Sequence, residues 1–203
     1  MIVRQRAKRA AIAVASASLI PLGLVAAPSV QAAPSAAEAA PASVQAATTY
    51  QGKVTTALNV RRAPTSAAAK VSTLKAGTKV TIQCKVFGPS VAGNSLWYKL
   101  STAKWASARY IANVGTAPRF CGTGKEYQGK VVSSTALAVR SGPHSANLKV
   151  SSAPRGSTLA IVCKVDSQNV GGNTRWYQLT GDGGGQWVSA RYVSNMGAIP
   201  PYC

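Results

Sequence analysis

Residues 79–86 read KVTIQCKV, where Val80, Ile82, Cys84 and Val86 alternate with Lys79, Thr81, Gln83 and Lys85. A period of two belongs to an extended strand with one apolar face and one mostly polar face. Residues 158–165, TLAIVCKV, repeat the design with Leu159, Ile161, Cys163 and Val165. The match continues through CKVFGPSVAGNSLWYKL (84–100) and CKVDSQNVGGNTRWYQL (163–179), which have equal length and place Cys, Trp, Tyr and Leu alike. Working outward, TYQGKV (49–54) pairs with EYQGKV (126–131), and ALNVRRAP (57–64) with ALAVRSGP (136–143). KWASARYIANVG (104–115) pairs with QWVSARYVSNMG (186–197), and each copy closes on a cysteine. The chain therefore holds two homologous units, 50–121 and 127–203. The intervening GTGKE (122–126) reaches at most about 18 Å, so the units sit side by side.

Further β-rich runs, LNV, LWYKL and KWASARYI, are separated by Gly, Pro, Ser and Asn clusters, and no segment sustains a helical period. Each unit is predicted to be a small all-β barrel or sandwich. At roughly 70 residues a hydrophobic core alone is marginal. The cysteines answer that shortage: Cys84 is predicted to point inward with Cys121 ending the same unit, and Cys163 and Cys203 repeat the arrangement. One bridge per unit is the economical pairing in an oxidising compartment, and each closed loop contributes about 4 kcal/mol on the chain-entropy model. Zinc binding and a nucleophilic thiol fit less well, because no close Cys-x-x-Cys pair exists and His144 is the only histidine.

The N-terminus sets the compartment. Arg4, Arg6, Lys8 and Arg9 precede the apolar run AIAVASASLIPLGLVAA, which is broken by Pro21 and leads to Val30-Gln31-Ala32, a small-x-small cleavage pattern. Residues 1–33 read as a secretory signal peptide, and 34–49, rich in Ala and Pro, as a flexible tether. The mature protein is expected to be secreted, extracellular or wall-associated, with no membrane segment after cleavage. Of 23 Lys+Arg, 19 follow the signal peptide, against 4 Asp+Glu, which leaves a net charge of +15. Such an excess favours polyanionic partners.

At LNVRRAPT, KAGTKVTI, LWYKL and KWASARYI the first unit resembles the bacterial Src-homology-3-like (SH3b) domain, whose pattern runs Leu-Asn-Val-Arg-Ser-Gly-Pro, Lys-Gly-Thr, Trp-Tyr-Lys-Val and Gly-Trp-Val. The second unit resembles it at LAVRSGPH, RGSTLAI, RWYQL and QWVSARYV. The resemblance covers nearly all of 50–203 and suggests a secreted tandem protein of actinobacterial type. It implies two small, partially open five-stranded barrels in tandem and a targeting role on peptidoglycan. The chain departs from the pattern at Arg62 and Ala63, at Ala138, and at Lys104 and Gln186 before the tryptophans, all in loops that shape the usual groove.

Catalysis lacks its parts. Repeat one has no Asp, Glu or His, and repeat two adds only Asp166, Asp182 and His144, the last in a turn-like stretch. No enzymatic activity, cofactor or metal is expected. Along LWYKL, alternation puts Tyr98 and Leu100 on one face and Trp97 and Lys99 on the other, with Tyr177, Leu179, Trp176 and Gln178 repeating this. If the tyrosines face the core, the tryptophans are exposed. The resemblance then implies ligand grooves at Trp97 with Tyr110 and at Trp176 with Tyr192; the alternative is that both tryptophans fill the core. Arg61 and Arg140 either border these grooves as donors or fix their own Gly-Pro-type turns, the second being preferred.

The expected partner is peptidoglycan or an anionic wall polymer, bound by two weak sites made additive through the short linker. A secreted protein partner, with the chain as adaptor or inhibitor, is the alternative. Nucleic acid suits the charge but not the compartment, and a monomer is expected.

Overall fold

A computed structural model describes residues 48–181 and 185–203. The predicted signal peptide, nearly all of the tether and Asp182 lie outside the described residues. The first half contains β1 (Tyr50–Val54), β2 (Leu58–Arg61), β3 (Lys70–Leu74), β4 (Lys79–Ile82), β5 (Cys84–Val91), β6 (Asn94–Ser101), β7 (Lys104–Ser107) and β8 (Ile111–Val114). The second half follows the same course with β9 (Tyr127–Val131), β10 (Leu137–Arg140), β11 (Lys149–Ala153), β12 (Thr158–Val170), β13 (Asn173–Leu179), β14 (Trp187–Ser189) and β15 (Val193–Met196). A single 3₁₀ turn, Ala108–Tyr110 or Ala190–Tyr192, precedes the last strand of each half. Its entry is capped by the Ser107 or Ser189 hydroxyl, which accepts the Arg109 or Arg191 N–H.

In the first half the antiparallel orders are β4-β1-β8 and β3-β2-β7-β6-β5. In the second, β12 runs unbroken through both curled layers and gives one order, β11-β10-β14-β13-β12-β9-β15. The protein is thus all-β, two small and partly open barrels of SH3-like form in tandem. Each barrel closes on its own apolar residues. Val54, Ile82, Tyr98 and Ile111 lie in the first core, and Val131, Ile161, Tyr177 and Val193 in the second. The core tyrosines keep their polar ends satisfied, with Tyr98 Oη donating to Asn113 Oδ1 (2.9 Å) and Tyr177 Oη to Asn195 Oδ1 (3.0 Å).

A third cluster belongs to neither barrel alone. It gathers Cys84, Val86, Trp97, Trp105 and Cys121 from the first repeat with Cys163, Val165, Trp176, Trp187 and Cys203 from the second. The strand that carries the alternating pattern explains how it arises. Val80 and Ile82 enter the first barrel, but the ladder breaks at Gln83 between β4 and β5. The second repeat has a register shift at the equivalent point, between Ile161 and Cys163. One extra residue reverses which face the following side chains occupy. Beyond it, Val86 stands opposite Trp97 and Lys85 opposite Tyr98, and directly opposed residues share a face. The expectation that Cys84 points into its own barrel is therefore corrected: it faces the other repeat.

The disulfides join Cys84 to Cys121 and Cys163 to Cys203, with Cα–Cα distances of 5.0 and 5.1 Å. Each draws the end of its repeat alongside the cysteine strand through a parallel bridge, Lys85 with Phe120 and Lys164 with Tyr202. Polar contacts also cross between repeats: Trp187 Nε1 donates to the Phe87 carbonyl (2.9 Å), and Thr65 Oγ1 to Asn147 Oδ1 (2.9 Å). The two barrels belong to one compact unit.

Candidate functional site

Trp97 and Trp176 lie on the face opposite the core tyrosines, as alternation requires, but each is only 2% exposed. Of the two readings, exposed indoles lining grooves and indoles filling a core, this burial matches the second. The other repeat covers that face, and the ring nitrogens are consumed internally, Trp97 Nε1 by the Pro89 carbonyl (3.0 Å) and Trp176 Nε1 by the Gln168 carbonyl (2.9 Å). Gly88 permits the packing, since a Cβ there would stand 2.7 Å from Trp97 Cδ1 and 2.6 Å from the Pro64 carbonyl oxygen.

The nominated arginines hold their own turns. Arg61 Nη1 donates to the Ala68 carbonyl (2.8 Å) and Arg140 Nη1 to the Asn147 carbonyl (2.9 Å), at equivalent points of the two repeats. Tyr110 is half-buried and packs against the first barrel core. Tyr192 is exposed at 37% and shares with Arg140 a recess of about 290 Å³ walled by the Ser133, Thr135, Ser145 and Ser189 hydroxyl side chains. The structure thus brings Arg140 and Tyr192 together and leaves Trp176 out of that recess.

A second pair of recesses opens between the repeats. The first, about 270 Å³, is bounded by Arg62, Lys99 and Trp105 of repeat one and by Lys164, Asp166 and Tyr202 of repeat two. The second, about 490 Å³, shares Arg62, Ala103 and Asp166 with it and continues along Ala67–Ala69 to Ser167 and Gln168. Lys99 Nζ donates to the Cys203 main-chain oxygen, and burial holds its pKa below the ordinary lysine value. Lys164 Nζ lies 4.9 Å from the centre of the Tyr202 ring. Its pKa is also lowered, first by burial and then by Arg175, with Asp166 opposing. The Asp166 carboxylate accepts the Thr174 hydroxyl at Oδ1 (3.3 Å) and the Tyr202 hydroxyl at Oδ2 (3.0 Å). Ser167 Oγ is buried without a hydrogen-bond partner.

Sequence reasoning missed Arg62, Lys99, Lys164, Asp166 and Tyr202 as a group. The signal was present as divergence between otherwise matched copies: Ser141 stands where repeat one has Arg62, Gln178 where it has Lys99, and Phe87 and Phe120 where repeat two has Asp166 and Tyr202. Among the described residues no group of three or more His, Cys, Asp or Glu could hold a metal ion, and no helix is long and apolar enough to cross a membrane.

No protein-family model and no curated protein matches the chain. Among solved structures the chain is similar to NlpC2 from Trichomonas vaginalis, at 15% identity and a TM-score of 0.27, covering 74% of this chain and 49% of that one. It is similar to NlpC1 from the same organism at 16% identity and a TM-score of 0.27, with coverage of 72% and 46%. The endolysin LysPBC5 CBD aligns at 11% identity and a TM-score of 0.26, over 72% of this chain and 93% of that one. The chain thus spans about half the length of the two NlpC structures.

Proposed function

We propose that the protein is a secreted, non-catalytic tandem SH3b binder of the bacterial cell wall, in which two disulfide-stapled barrels form a single rigid body. The observation that carries this reading is the placement of charge. Lys53, Lys79, Lys104, Arg109, Lys130 and Arg191 all project to solvent from strands or turns around both barrels, in a chain with 23 Lys+Arg and 4 Asp+Glu. A broadly cationic surface suits a polymeric anionic lattice, and two fixed modules suit a lattice whose groups recur at set spacings. The paired disulfides fit an oxidising compartment outside the cytoplasm.

Sedimentation with washed bacterial walls tests this reading. Retention that falls steeply with added salt is the expected outcome. Failure to sediment at low salt would refute wall binding, and capture of one defined secreted protein in its place would favour an adaptor or inhibitor.

A further inference from the structure

We infer that the β12–β13 hairpin of the second repeat carries a phosphate-binding site, in which Arg175 and Arg191 grip one phosphodiester of an anionic wall polymer. The source of that phosphate rests on the wall-binding reading. A recess of about 430 Å³ is walled by Gly171, Gly172, Asn173, Thr174, Arg175 and Arg191. Arg175 belongs to β13 and Arg191 to the 3₁₀ turn Ala190–Tyr192, and both are exposed. Among the described residues the two arginines form hydrogen bonds through their main-chain N–H groups, to Asn173 Oδ1 (2.9 Å) and Ser189 Oγ (3.3 Å), and not through their guanidinium groups. Asp166 stands opposite Arg175 in the ladder, but its oxygens accept the Thr174 and Tyr202 hydroxyls. The guanidinium forks are therefore donors left to a ligand.

Gly171 makes room for Arg191. A Cβ on Gly171 would stand 3.1 Å from Arg191 Nε and 3.5 Å from its Cδ and Cγ, so the arginine stem lies across the hairpin turn. The turn itself does not demand glycine there. In repeat one the equivalent residue is Ala92, at a φ of 47° against 55° for Gly171, so the same left-handed turn is made with a side chain present. A second difference falls on the same recess: Arg175 replaces Leu96, which packs against the first barrel core. Repeat one keeps Arg109 in the place of Arg191 but has no arginine in the place of Arg175, so the pair belongs to repeat two alone.

The chemistry of the recess selects among ligands. A carboxylate has two oxygens in one plane, which a single guanidinium fork satisfies. A phosphate spreads its oxygens in several directions and can accept from two forks held by different elements. Two guanidinium groups that border one recess repel each other, and a bound anion removes that repulsion while accepting their hydrogens. Asn173 Oδ1 is engaged by the Arg175 N–H, so the end of that amide left to a ligand is the Nδ2 donor. Glycine, Asn, Thr and Arg give the recess no aromatic or aliphatic platform for a sugar ring or an apolar side chain. Gly171, Gly172 and Thr174 are exposed, so the recess opens at the surface and a phosphate within a polymer can enter without a free chain end.

Titration of the ¹⁵N-labelled full chain with a poly(glycerol phosphate) oligomer, dimethyl phosphate, N-acetylalanine and phosphatidylglycerol vesicles tests the inference. The oligomer should shift the Nε–H signals of Arg175 and Arg191 and the amides of Gly171 and Gly172. Dimethyl phosphate should shift the same set more weakly, and N-acetylalanine, a carboxylate of equal charge, less again. Arg191→Gln should weaken oligomer binding about tenfold or more. Arg109→Gln, which removes the same charge from the matching place in repeat one, should leave it within about twofold. Arg175→Leu and Gly171→Ala, which install the residues that repeat one carries at these points, should each weaken binding, with thermal midpoints showing that the variants are folded. Equal losses in Arg191→Gln and Arg109→Gln, N-acetylalanine binding as well as dimethyl phosphate, or tighter binding to the vesicles than to the oligomer would overturn it. No wall is present in this titration. Its failure alongside sedimentation with walls would leave wall binding without this site, and failure to sediment alongside a successful titration would leave the site without the wall.

Discussion

Replacing Trp97 with alanine separates a structural indole from a ligand-binding one. Trp97 is 2% exposed, donates its ring N–H to Pro89, and lies in the cluster that spans the two repeats. An indole buries about 150–250 Å², which at about 25 cal/mol/Å² corresponds to about 4–6 kcal/mol as an upper estimate. Large-to-small substitutions at aromatic core sites cost about 3–5 kcal/mol, and the two figures agree. A domain's whole stability is about 5–15 kcal/mol, so Trp97→Ala removes a large share of it. At about 2–4 °C per kcal/mol for a chain of this size, the midpoint in differential scanning calorimetry should fall by about 8–15 °C. Because the cluster is shared, both repeats should unfold together at the lower temperature. A fall of less than about 3 °C, or a drop confined to one of two separated transitions, would refute the sealed interface.

Gly88→Ala should destabilise by about 1–3 kcal/mol through overpacking, read from urea denaturation midpoints, because the new methyl meets Trp97 and the Pro64 carbonyl. Replacing Cys163 and Cys203 together with alanine should cost about 4 kcal/mol on the chain-entropy model, and chemical denaturation under non-reducing conditions measures the loss. The His144 pKa is held below its ordinary 6.5, first by burial and then by Arg140, and its Nδ1 accepts the Ala146 N–H at 3.0 Å. The unfolded chain therefore takes up this proton first as pH falls, so stability contributed here is present above the ordinary value and is lost as pH drops through the folded-state value. His144→Thr copies Thr65, whose Oγ1 accepts the Ala67 N–H in the same turn of repeat one, and should flatten the dependence of the melting midpoint between neutral and mildly acidic pH.

Much of the architecture was legible because it rests on local rules. Alternation in KVTIQCKV and LWYKL, the turn residues between the runs and the repeated cysteine spacing lead to strands, to two barrels and to the disulfide pairs. The fate of Trp97 and Trp176 was not legible for a definite reason: a period of two assigns a side chain to a face without saying what covers that face. The break at Gln83 added to this, since one bulge residue redirects Cys84 and Val86 from the barrel interior to the neighbouring repeat. The recesses between the repeats were harder still. Arg62, Lys99 and Lys164 are brought together by contact between whole barrels, and no local pattern in either repeat marks them.

The central claim is that the two barrels form one rigid body around a shared core of indoles and disulfides, with the recesses between the repeats as its product. Residual dipolar couplings of the backbone amides in the full chain test it most directly. A single alignment tensor should fit residues 50–121 and 127–203 with the relative orientation described here. Two tensors of different magnitude, one per repeat, would mean that the barrels move independently, and the shared core and the recesses between the repeats would both be wrong.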